Sequence, residues 1–397
     1  MRETLIFFLY CSKNDLSTSH KIFTMPVEIK EVLSKHELRK FINLPAKIHK
    51  NHVNWIPPIY MDEWAFFNPG KNKSFSYCDT VLLLAYKENK PVGRIMGIIN
   101  HKYNEKHGER DARFCFMETY EDKEVYHALI NYVENWAREK GMENLVGPLG
   151  FSEKDPQGYM VEGFGEPIVI ATNGNYEYMV NLLESEGFTK KIDCVVYKIV
   201  VPKEIPDFYK KIYERVEDRN NIKVLEFTRR EDLKPFIRPV FHLVNETFAD
   251  IYAFAPFAES EMDDFANRYL LLLDPQYIKV ITDEKKEVIA FIIGMPDISK
   301  GVKKCKGKIL PFGILQIIAA RKRSKQLNLL LGAIKEPYRG KGLDVILGVK
   351  MLETAQKNNI EVMDSHLELE TNTKVRLEME RVGGEVYKKY RIFQKKF

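Results

Sequence analysis

Residues 333–346 of this chain read AIKEPYRGKGLDVI. The apolar run Leu327–Ile334 that leads into them predicts a buried strand, and the residues after Gly342 predict a helix. Between the two lies a short loop that contains Gly340 and Gly342. Glycine lacks the Cβ atom that would keep a backbone from closing around a bulky anion. This order of strand, glycine loop and helix predicts a site for a phosphate-bearing ligand.

The charge of the loop and the start of the helix favour the same kind of ligand. The first turn of a helix offers unpaired N–H groups and the positive end of the helix dipole. Arg339 and Lys341 add two positive side chains. A Walker loop would carry lysine and serine or threonine where Leu343 and Asp344 stand, and the dinucleotide fingerprint would need a third glycine. The segment therefore predicts a pyrophosphate cradle of another kind.

The composition is that of a soluble globular protein with room for two domains. The chain has 397 residues, of which 45% are hydrophobic and 29% are charged. A net charge of +5 is too small to indicate a nucleic-acid partner. The five cysteines lie far apart, at positions 11, 78, 115, 194 and 305. We expect reduced thiols in the cytoplasm, with no disulfide and no metal site.

The N-terminal residues differ from the rest of the chain. The apolar patch Leu5–Tyr10 is far too short to span a membrane. Few positive charges precede it, so a cleaved signal peptide is the less favoured alternative. We expect residues 1–25 to be a disordered extension, and no segment of the chain to cross a membrane.

The predicted elements occur twice in the same order. In each half a strand and helices precede a hairpin, a long strand, a loop, a helix, a strand, a second helix and a final strand. In both halves an asparagine, Asn175 or Asn372, opens the second helix, and a glycine ends it. The proline-marked linker Pro202–Pro206 separates the halves. The sequence thus predicts two α/β units, residues 26–201 and 206–397.

The glycine loop resembles the acetyl-CoA loop of the GNAT N-acetyltransferase superfamily. That pattern, Arg/Gln-x-x-Gly-x-Gly/Ala, reads here as Arg339–Asp344, with Asp344 in place of the small residue expected last. The segments that make the chain similar to a family of large bacterial GNAT-like proteins are Trp55–Pro58, Pro91–Ile95, Asn104–Glu105, Gly147–Pro148 and Tyr387–Ile392. The resemblance implies an α/β (α+β) fold of two tandem GNAT-like units, each a mixed, mostly antiparallel sheet flanked by helices.

The same resemblance implies an acyl-CoA-dependent N-acyltransferase and, within that class, an N-acetyltransferase. Acetyl-CoA or another acyl-CoA would be the co-substrate, and the acceptor a primary amine on a small molecule or peptide. A non-catalytic acyl-CoA-binding or scaffold protein of the same fold is the alternative. Transfer from a carrier such as aminoacyl-tRNA finds support only in the basic segment Ser299–Lys325, for which a solvated loop is the simpler interpretation. The sequence gives no indication of the oligomeric state.

In a GNAT enzyme the amine attacks the thioester directly while a backbone N–H polarises its carbonyl. The residues that the resemblance assigns to acyl-CoA are Gly332, Ala333, Ile334, Arg339, Gly340, Lys341, Gly342, Leu343, Asp344 and Asn372. The glycine at 332 either lets the ligand approach the strand or marks a β-bulge. In the first half the matching segment, Tyr120–Glu124, has no glycine and three carboxylates. We expect that half not to bind CoA in the usual way.

The general base is predicted on the strand Met363–Glu370. Alternation along the strand would place four titratable groups on one face, namely Asp364, His366, Glu368 and Glu370. In the fold that the resemblance implies, this face borders the acyl cleft. Glu368 is then the first candidate and Glu370 the second. The alternative is a strand with one solvated face, on which His366 is a surface or hydrogen-bonded histidine rather than a base.

The tyrosine that protonates the thiolate in many GNAT enzymes is missing. Its place, counted from Asn372, falls near Met379, whose side chain has no proton to donate. Tyr390 or Tyr387 could substitute, with core packing as the alternative role. The loop Gly147–Gly165 either closes over the acceptor or is only a long connection.

Overall fold

The computed structural model describes residues 26–219, 222–270 and 272–397. The extension predicted for residues 1–25 lies outside this part of the chain. The strands are β1 (Glu28–Glu31), β2 (Cys78–Lys87), β3 (Lys90–Asn100), β4 (Asp111–Thr119), β5 (Asn144–Gly147), β6 (Tyr159–Glu162), β7 (Thr189–Val200), β8 (Lys223–Glu226), β9 (Ile278–Thr282), β10 (Val288–Pro296), β11 (Gln326–Ile334), β12 (Val362–Asp364), β13 (Glu368–Leu369) and β14 (Glu385–Lys396). The helices are α1 (Lys35–Asn43), α2 (Pro45–Ile48), α3 (Tyr60–Phe66), α4 (His101–His107), α5 (Lys123–Glu139), α6 (Glu177–Ser185), α7 (Asp207–Arg219), α8 (Ile237–Thr247), α9 (Glu259–Tyr269), α10 (Ser299–Lys304), α11 (Gly313–Arg323), α12 (Leu343–Lys357) and α13 (Thr373–Arg381).

The strands form one mixed sheet in the order β1-β2-β3-β4-β5-β14-β7-β12-β11-β10-β9-β8. β4 and β5 run parallel, as do β11 and β12, and the other neighbours run antiparallel. Helix α5 packs on β2 and β3, and α12 packs on β9 to β11. The predicted α/β class, a mixed and mostly antiparallel sheet flanked by helices, is confirmed.

The last strand of each half is exchanged with the other half. β14 pairs with β5 and β6, β7 pairs with β12 and β13, and β7 and β14 pair with each other at the centre. The predicted unit ranges 26–201 and 206–397 stay predictions. The hydrogen bonds add that each range contributes its last strand to the sheet of the other.

An ion pair fastens the two exchanged strands. Arg391 on β14 donates two hydrogen bonds to the carboxylate of Asp193 on β7. The distances are 2.7 Å from Nε to Oδ1 and 3.1 Å from Nη2 to Oδ2. Burial acts to raise the pKa of Asp193, but the hydrogen bonds from Arg391 and Lys190 together lower it by more. The pKa of the carboxyl therefore lies below its usual value. A bidentate pair of this kind fixes orientation as well as distance. It therefore helps to set the register at the middle of the sheet.

Each parallel strand pair is short and then opens into a gap. β4 pairs with β5 only over Asp111–Arg113, and β11 pairs with β12 only over Gln326–Asn328. Beyond these residues the strands of each pair separate. The edge of β11 that faces the gap is consequently open from Leu329 to Ile334. Such an opening beside a strand edge leaves room for a ligand.

The prediction of one continuous strand from Met363 to Glu370 is wrong, because the segment forms two short strands. β12 ends at Asp364, β13 begins at Glu368, and His366 between them has a φ of 60°. A left-handed residue turns the chain, so the alternation of side chains does not carry across the break.

The basic segment Ser299–Lys325 is not a solvated loop. It forms α10 and α11, which pack against each other. Their buried residues Val302 and Ile317 join Met295 and Ile298 in a small apolar cluster. The high lysine content obscured this pattern, because the apolar positions are spread over two short helices.

Candidate active site

The predicted phosphate loop offers unpaired backbone donors. It follows the short 3₁₀ turn Glu336–Tyr338, and α12 begins at Leu343, whose side chain is fully buried in the core. The amide of Ile346 donates to the carbonyl of Gly342 at 3.2 Å. Within the described part of the chain, no backbone carbonyl accepts from the amides of residues 340–345. Free N–H groups at a helix start suit an anion.

The two glycines of the loop have different surroundings. Gly340 and Gly342 have φ values of 72° and 87°, which residues with a Cβ rarely adopt. A Cβ on Gly340 would meet no atom within 4 Å, whereas one on Gly342 would lie 2.7 Å from Cγ2 of Val216 on α7. The space at Gly340 is open to a ligand. The space at Gly342 is filled by protein, so that glycine permits helix packing rather than ligand approach.

Charges of both signs surround the loop. The positive side chains that line the space around it are Arg215, Arg339, Lys341, Lys374 and Arg381. Two carboxylates, Asp344 and Glu378, face the same space. Burial, and then the charge of Asp344, raises the pKa of Glu378 to about 7. The excess of cations fits a ligand with several phosphates, while Asp344 opposes it.

The open edge of β11 presents free amides to the gap. The amide of Lys335 donates to β10 at 2.8 Å, so alternate residues back along the strand, starting with Ala333, also bond to β10. Gly332 and Ile334 therefore turn their N–H groups to the opposite edge. The irregular step in the pairing falls at Leu330, so Gly332 is not the bulge. The first of the two predicted roles of Gly332, close approach of a ligand, fits this geometry.

Glu368 lines the gap with a raised affinity for protons. It lies opposite Val195 of β7 in the register, and its half-buried side chain faces the space that Asn372 also borders. Burial, and then the carboxylate of Glu378, raises the pKa of Glu368 to about 8. A carboxyl group with this pKa exchanges its proton near neutral pH.

The other two side chains predicted for catalysis lie elsewhere. Glu370 accepts hydrogen bonds from Lys190 Nζ at 2.7 Å and from the amide of Asp193 at 3.0 Å. Glu370 is not among the described residues that line the gap. Tyr390 is buried in the core, with its hydroxyl 3.3 Å from Oγ1 of Thr172, and burial raises its pKa. The structure thus brings neither side chain to Glu368.

His366, for which a surface or hydrogen-bonded role was predicted, lines the same cavity. Its Nε2 is buried and, within the described part of the chain, has no hydrogen-bond partner. Its amide donates to Asp364 Oδ1 at 2.7 Å, and Asp364 is held by the Tyr387 hydroxyl and by Lys388 Nζ at 3.8 Å. Burial lowers the pKa of His366, so the ring is neutral at neutral pH. Only the left-handed turn brings the imidazole here, and no sequence pattern marks that turn.

These groups share one large cavity of about 2430 Å³. Small-molecule sites usually occupy roughly 300–1,000 Å³. From the glycine loop the cavity continues between α8 and the strands β10 and β11. Apolar side chains line it there, namely Val240, Phe241, Val244, Phe291, Ile293 and Leu331. A space of this size and polarity suits long hydrocarbon chains.

The cavity becomes polar where it reaches the first half. Arg94 and Glu118 line it there, and Glu118 Oε2 lies 2.6 Å from Nε2 of His49. The other ring nitrogen of His49 lies 3.0 Å from Nδ1 of His52. Burial, and then His49, lowers the pKa of His52 to about 4. This polar chain escaped prediction because its members come from three separated segments.

The first half has no phosphate loop at the matching position. The side chain of Asp122 accepts from the amides of Glu124 at 3.1 Å and Val125 at 3.2 Å, which caps α5. Lys87 Nζ lies 2.6 Å from the same carboxylate. The helix start is thus occupied by the protein's own acid. This supports the expectation that Tyr120–Glu124 does not bind CoA.

The segment Gly147–Gly165, predicted to be a loop, contains β6 and contacts the second half. Lys154 Nζ donates to the carbonyl of Ala255 at 2.5 Å, and the amide of Ala255 donates to Glu153 Oε2 at 3.0 Å. Glu153, Lys154 and Asp155 also line the cavity. Of the two predicted roles, closure over a shared site fits these contacts better than a plain connection.

Two curated proteins are similar to the chain over nearly its full length, although no family model matches it. It is 24% identical to Protein YghO of Escherichia coli (strain K12) over 375 residues, which cover 92% of this chain and 95% of that protein. It is 24% identical to the bacterial ceramide synthase of Caulobacter vibrioides over 387 residues, which cover 96% of this chain and 98% of that protein.

Two solved structures share the fold. A tandem GNAT protein from the clavulanic acid biosynthesis pathway matches with a TM-score of 0.54 at 10% identity, over 94% of this chain and 98% of the other. The GCN5-related glucosamine N-acetyltransferase region of a fungal multi-domain β-N-acetylglucosaminidase matches with a TM-score of 0.52 at 12% identity, over 94% of this chain and 38% of the other. The predicted fold of two tandem GNAT-like units is confirmed.

Proposed function

We propose that the protein is an acyl-CoA-dependent N-acyltransferase that joins a long acyl chain to a long-chain amine, as in a ceramide. One observation carries the proposal: the loop with free amides opens into a largely apolar cavity of about 2430 Å³. An acetyl group would use little of that space. Two long chains would fill it, and each buried CH₂ contributes about 0.8 kcal/mol. The ceramide synthase similar to this chain supports the same substrate class.

The second unit holds the acyl-CoA. The amides of residues 340–345 bind the pyrophosphate, with help from Arg339 and Lys341. The thioester carbonyl accepts a hydrogen bond from the amide of Gly332, which points into the gap. The acyl chain then lies in the apolar space between α8 and the sheet. The carboxylate of Asp344 weakens the phosphate site without blocking it, because two cations of the loop itself, Arg339 and Lys341, oppose its single charge.

The acceptor reaches the thioester from the side of the first half. Its nitrogen attacks the thioester carbon, the C–N bond forms and the C–S bond breaks. One proton passes from the nitrogen to a base, and the departing thiolate takes one proton. Glu378 is the candidate acid, since it sits beside Met379, the place of the missing tyrosine, and keeps its proton up to about pH 7.

Two groups compete for the role of base. Glu368 has a pKa of about 8, close enough to neutrality to take a proton from an ammonium group. His366 is neutral, and its Nε2 has no partner within the described part of the chain. Glu368 is the first choice as base because it borders the same gap as Gly332 and because the carboxylate of Glu378 helps to raise its pKa. The two residues predict different pH profiles.

A non-catalytic acyl-CoA-binding protein is the second candidate. It is favoured by methionine at position 379, which cannot donate a proton to the thiolate. That feature would slow a GNAT-type reaction without preventing the ligand from binding.

The test is turnover by the purified protein with palmitoyl-CoA or acetyl-CoA and with sphinganine, a long-chain amino alcohol. Release of free thiol reports the rate, and mass spectrometry identifies the amide. We expect palmitoyl-CoA to give N-palmitoylsphinganine and acetyl-CoA to react poorly. A preference for acetyl-CoA would overturn the long-chain assignment. Tight binding of both thioesters without thiol release over a panel of amines would establish the binding protein instead.

A further inference from the structure

The hairpin of α10 and α11, residues 299–325, carries a surface that the proposed reaction does not use. Its 27 residues include nine lysines and arginines and no acidic residue. It is inserted between β10 and β11, where the first half has only the short helix α4 between β3 and β4. The second unit therefore has a helical hairpin that the first unit lacks at the matching position, and this hairpin contributes no strand to the sheet.

The tip of the hairpin exposes large apolar side chains. The exposed fractions are 65% for Leu310, 74% for Phe312, 63% for Leu315 and 36% for Ile318. Leu315, Ile318 and Lys322 follow one another at spacings of three and four, so they share the outer face of α11. Surface apolar residues are usually scattered, and a cluster of them marks an interaction site.

The charges beside this tip are largely unneutralised. Lys304, Lys306, Lys308 and Arg323 are exposed. In the part of the chain that the structure describes, the one ion pair of the hairpin joins Lys325 to Glu361 at 3.3 Å. An anionic membrane surface has phosphate groups above a hydrocarbon layer. Lysines without ion-pair partners can contact the phosphates, and the apolar side chains beside them can enter the hydrocarbon.

We propose that this hairpin docks the protein on an anionic phospholipid bilayer. Leu310, Phe312 and Leu315 enter the outer edge of the hydrocarbon layer, and the flanking lysines bind headgroup phosphates. A surface for single-stranded nucleic acid would instead present aromatic rings for stacking, and this tip has a single phenylalanine among aliphatic side chains. No described helix is both long and apolar enough to cross a bilayer, so the contact is peripheral.

The position of the hairpin connects the membrane to the cavity. On its buried side Val302 and Ile317 pack against Ile59, which also lines the cavity. The carbonyl of Gly307 accepts from the amide of Tyr60 at 3.1 Å. Docking thus brings the cavity wall to the bilayer. The inference stands apart from the proposed reaction, because docking is measured without turnover.

The experiment is sedimentation of the full chain with vesicles of phosphatidylcholine alone or mixed with phosphatidylglycerol. We expect binding to the mixed vesicles only, weakened by salt. Replacing Lys304, Lys306 and Lys308 by glutamine lowers the partition constant on the order of a hundredfold, since each lysine near an anionic surface contributes about one tenfold step or slightly less. Leu310→Ser with Phe312→Ser lowers it on mixed vesicles at low and high salt alike.

Matched controls separate docking from general charge or apolar effects. Lys71, Lys106 and Lys285, all exposed, are replaced by glutamine together, and Leu33→Ser removes another exposed apolar side chain. Neither control changes vesicle binding if the hairpin is the docking site. Equal losses in controls and hairpin variants would overturn the proposal. The proposal would also be overturned if the wild-type protein bound a single-stranded oligonucleotide through these lysines and stayed in the supernatant when the vesicles were sedimented.

Discussion

Gly340 is the residue at which the ligand assignment can be tested most directly. Gly340→Glu places a carboxylate in the open space at the amides, so we expect acyl-CoA affinity to fall by about tenfold or more through charge repulsion. Gly108→Glu is a matched control, because Gly108 also has a positive φ, 65°, and no atom within 4 Å of an added Cβ. Titration calorimetry compares the two. Equal affinities would show that acyl-CoA binds elsewhere.

Glu368 carries the prediction about catalysis. Glu368→Gln should lower kcat on the order of a hundredfold, the usual worth of a general base, with KM little changed. A base works only when deprotonated and an acid only when protonated, so kcat/KM of the wild type should pass through a maximum between about pH 7, the pKa of Glu378, and about pH 8, the pKa of Glu368. Initial rates across a pH series measure both effects.

His366→Asn is the companion variant for the base assignment. Burial lowers the pKa of His366 from 6.5, so a histidine base would be fully active already at neutral pH. With a histidine base, kcat/KM would not rise above pH 7 and would only fall as Glu378 loses its proton. Such a profile, together with a larger loss in His366→Asn than in Glu368→Gln, would move the role to the histidine.

The sequence was most informative about residues whose role depends on their neighbours in the chain. The glycine-containing turn between β11 and α12 could be predicted because backbone geometry follows from local residue types, whereas its binding of phosphate stays a prediction. The alternation of side chains along a strand predicted that Glu370 lies on the same face as Glu368. Instead, its carboxylate accepts hydrogen bonds from Lys190 and from the amide of Asp193, away from the gap. The imidazole of His366 reaches the cavity through a left-handed turn that no residue type announces.

At the scale of elements, α12 contains a glycine that a helix interior does not favour. Gly348 lines the cavity, and an added Cβ would meet no atom within 4 Å. Gly348→Ala should therefore stabilise the fold by about 0.5–1 kcal/mol, because glycine loses more backbone freedom on folding. Urea unfolding measures the change. Gly348→Leu should fill the cavity and weaken acyl-CoA binding, and unchanged binding would show that the ligand does not use this space.

The order of elements could be predicted, but the partners of two strands could not. β7 and β14 each have 12 residues with exposed ends and a more buried middle, and neither pattern specifies a partner strand. A local pattern specifies which face of a strand is buried, not which neighbour lies beside it. The exchange is decided by contacts such as Arg391 with Asp193, which lie 198 residues apart.

For the whole molecule, the cavity predicts how stability depends on pH. Burial raises the pKa of five lining carboxyl groups, to about 6 for Asp155, 7 for Glu63, Glu153 and Glu378, and 8 for Glu368. The folded state keeps these protons after the unfolded state has lost them, so stability falls as pH rises through the folded pKa values. His52, with a pKa of about 4 against 6.5 when unfolded, acts oppositely but only below pH 6.5.

We therefore expect the melting temperature to fall between pH 6.5 and 8. Thermal unfolding at constant ionic strength measures it. Glu368→Gln cannot ionise and should flatten the decline, whereas Glu37→Gln, a surface group at the start of α1, should not. A melting temperature that rises through this window would contradict the burial of these carboxyls.

The exchanged strands predict that the halves do not fold separately. A fragment of residues 26–201 would lack β14, which leaves one edge of β5 unpaired, and would also lack β12 and β13, so that β7 would have none of its partner strands. Unpaired strand edges invite aggregation. We expect each half expressed alone to be insoluble or oligomeric, and the two expressed together to form a soluble pair. Size-exclusion chromatography and circular dichroism check this. A monomeric, cooperatively unfolding first half would contradict it.

The position of β14 between β5 and β7 also has a consequence for synthesis on the ribosome. The first unit leaves the exit tunnel long before the strand that completes its sheet has been translated. Until then the nascent chain exposes edges of β5, β6 and β7 that strands of the second unit later cover, and a chaperone has the whole translation of the second unit in which to protect them. A codon change that slows elongation in the second half should prolong that exposure and lower the soluble yield, although every amino acid stays the same.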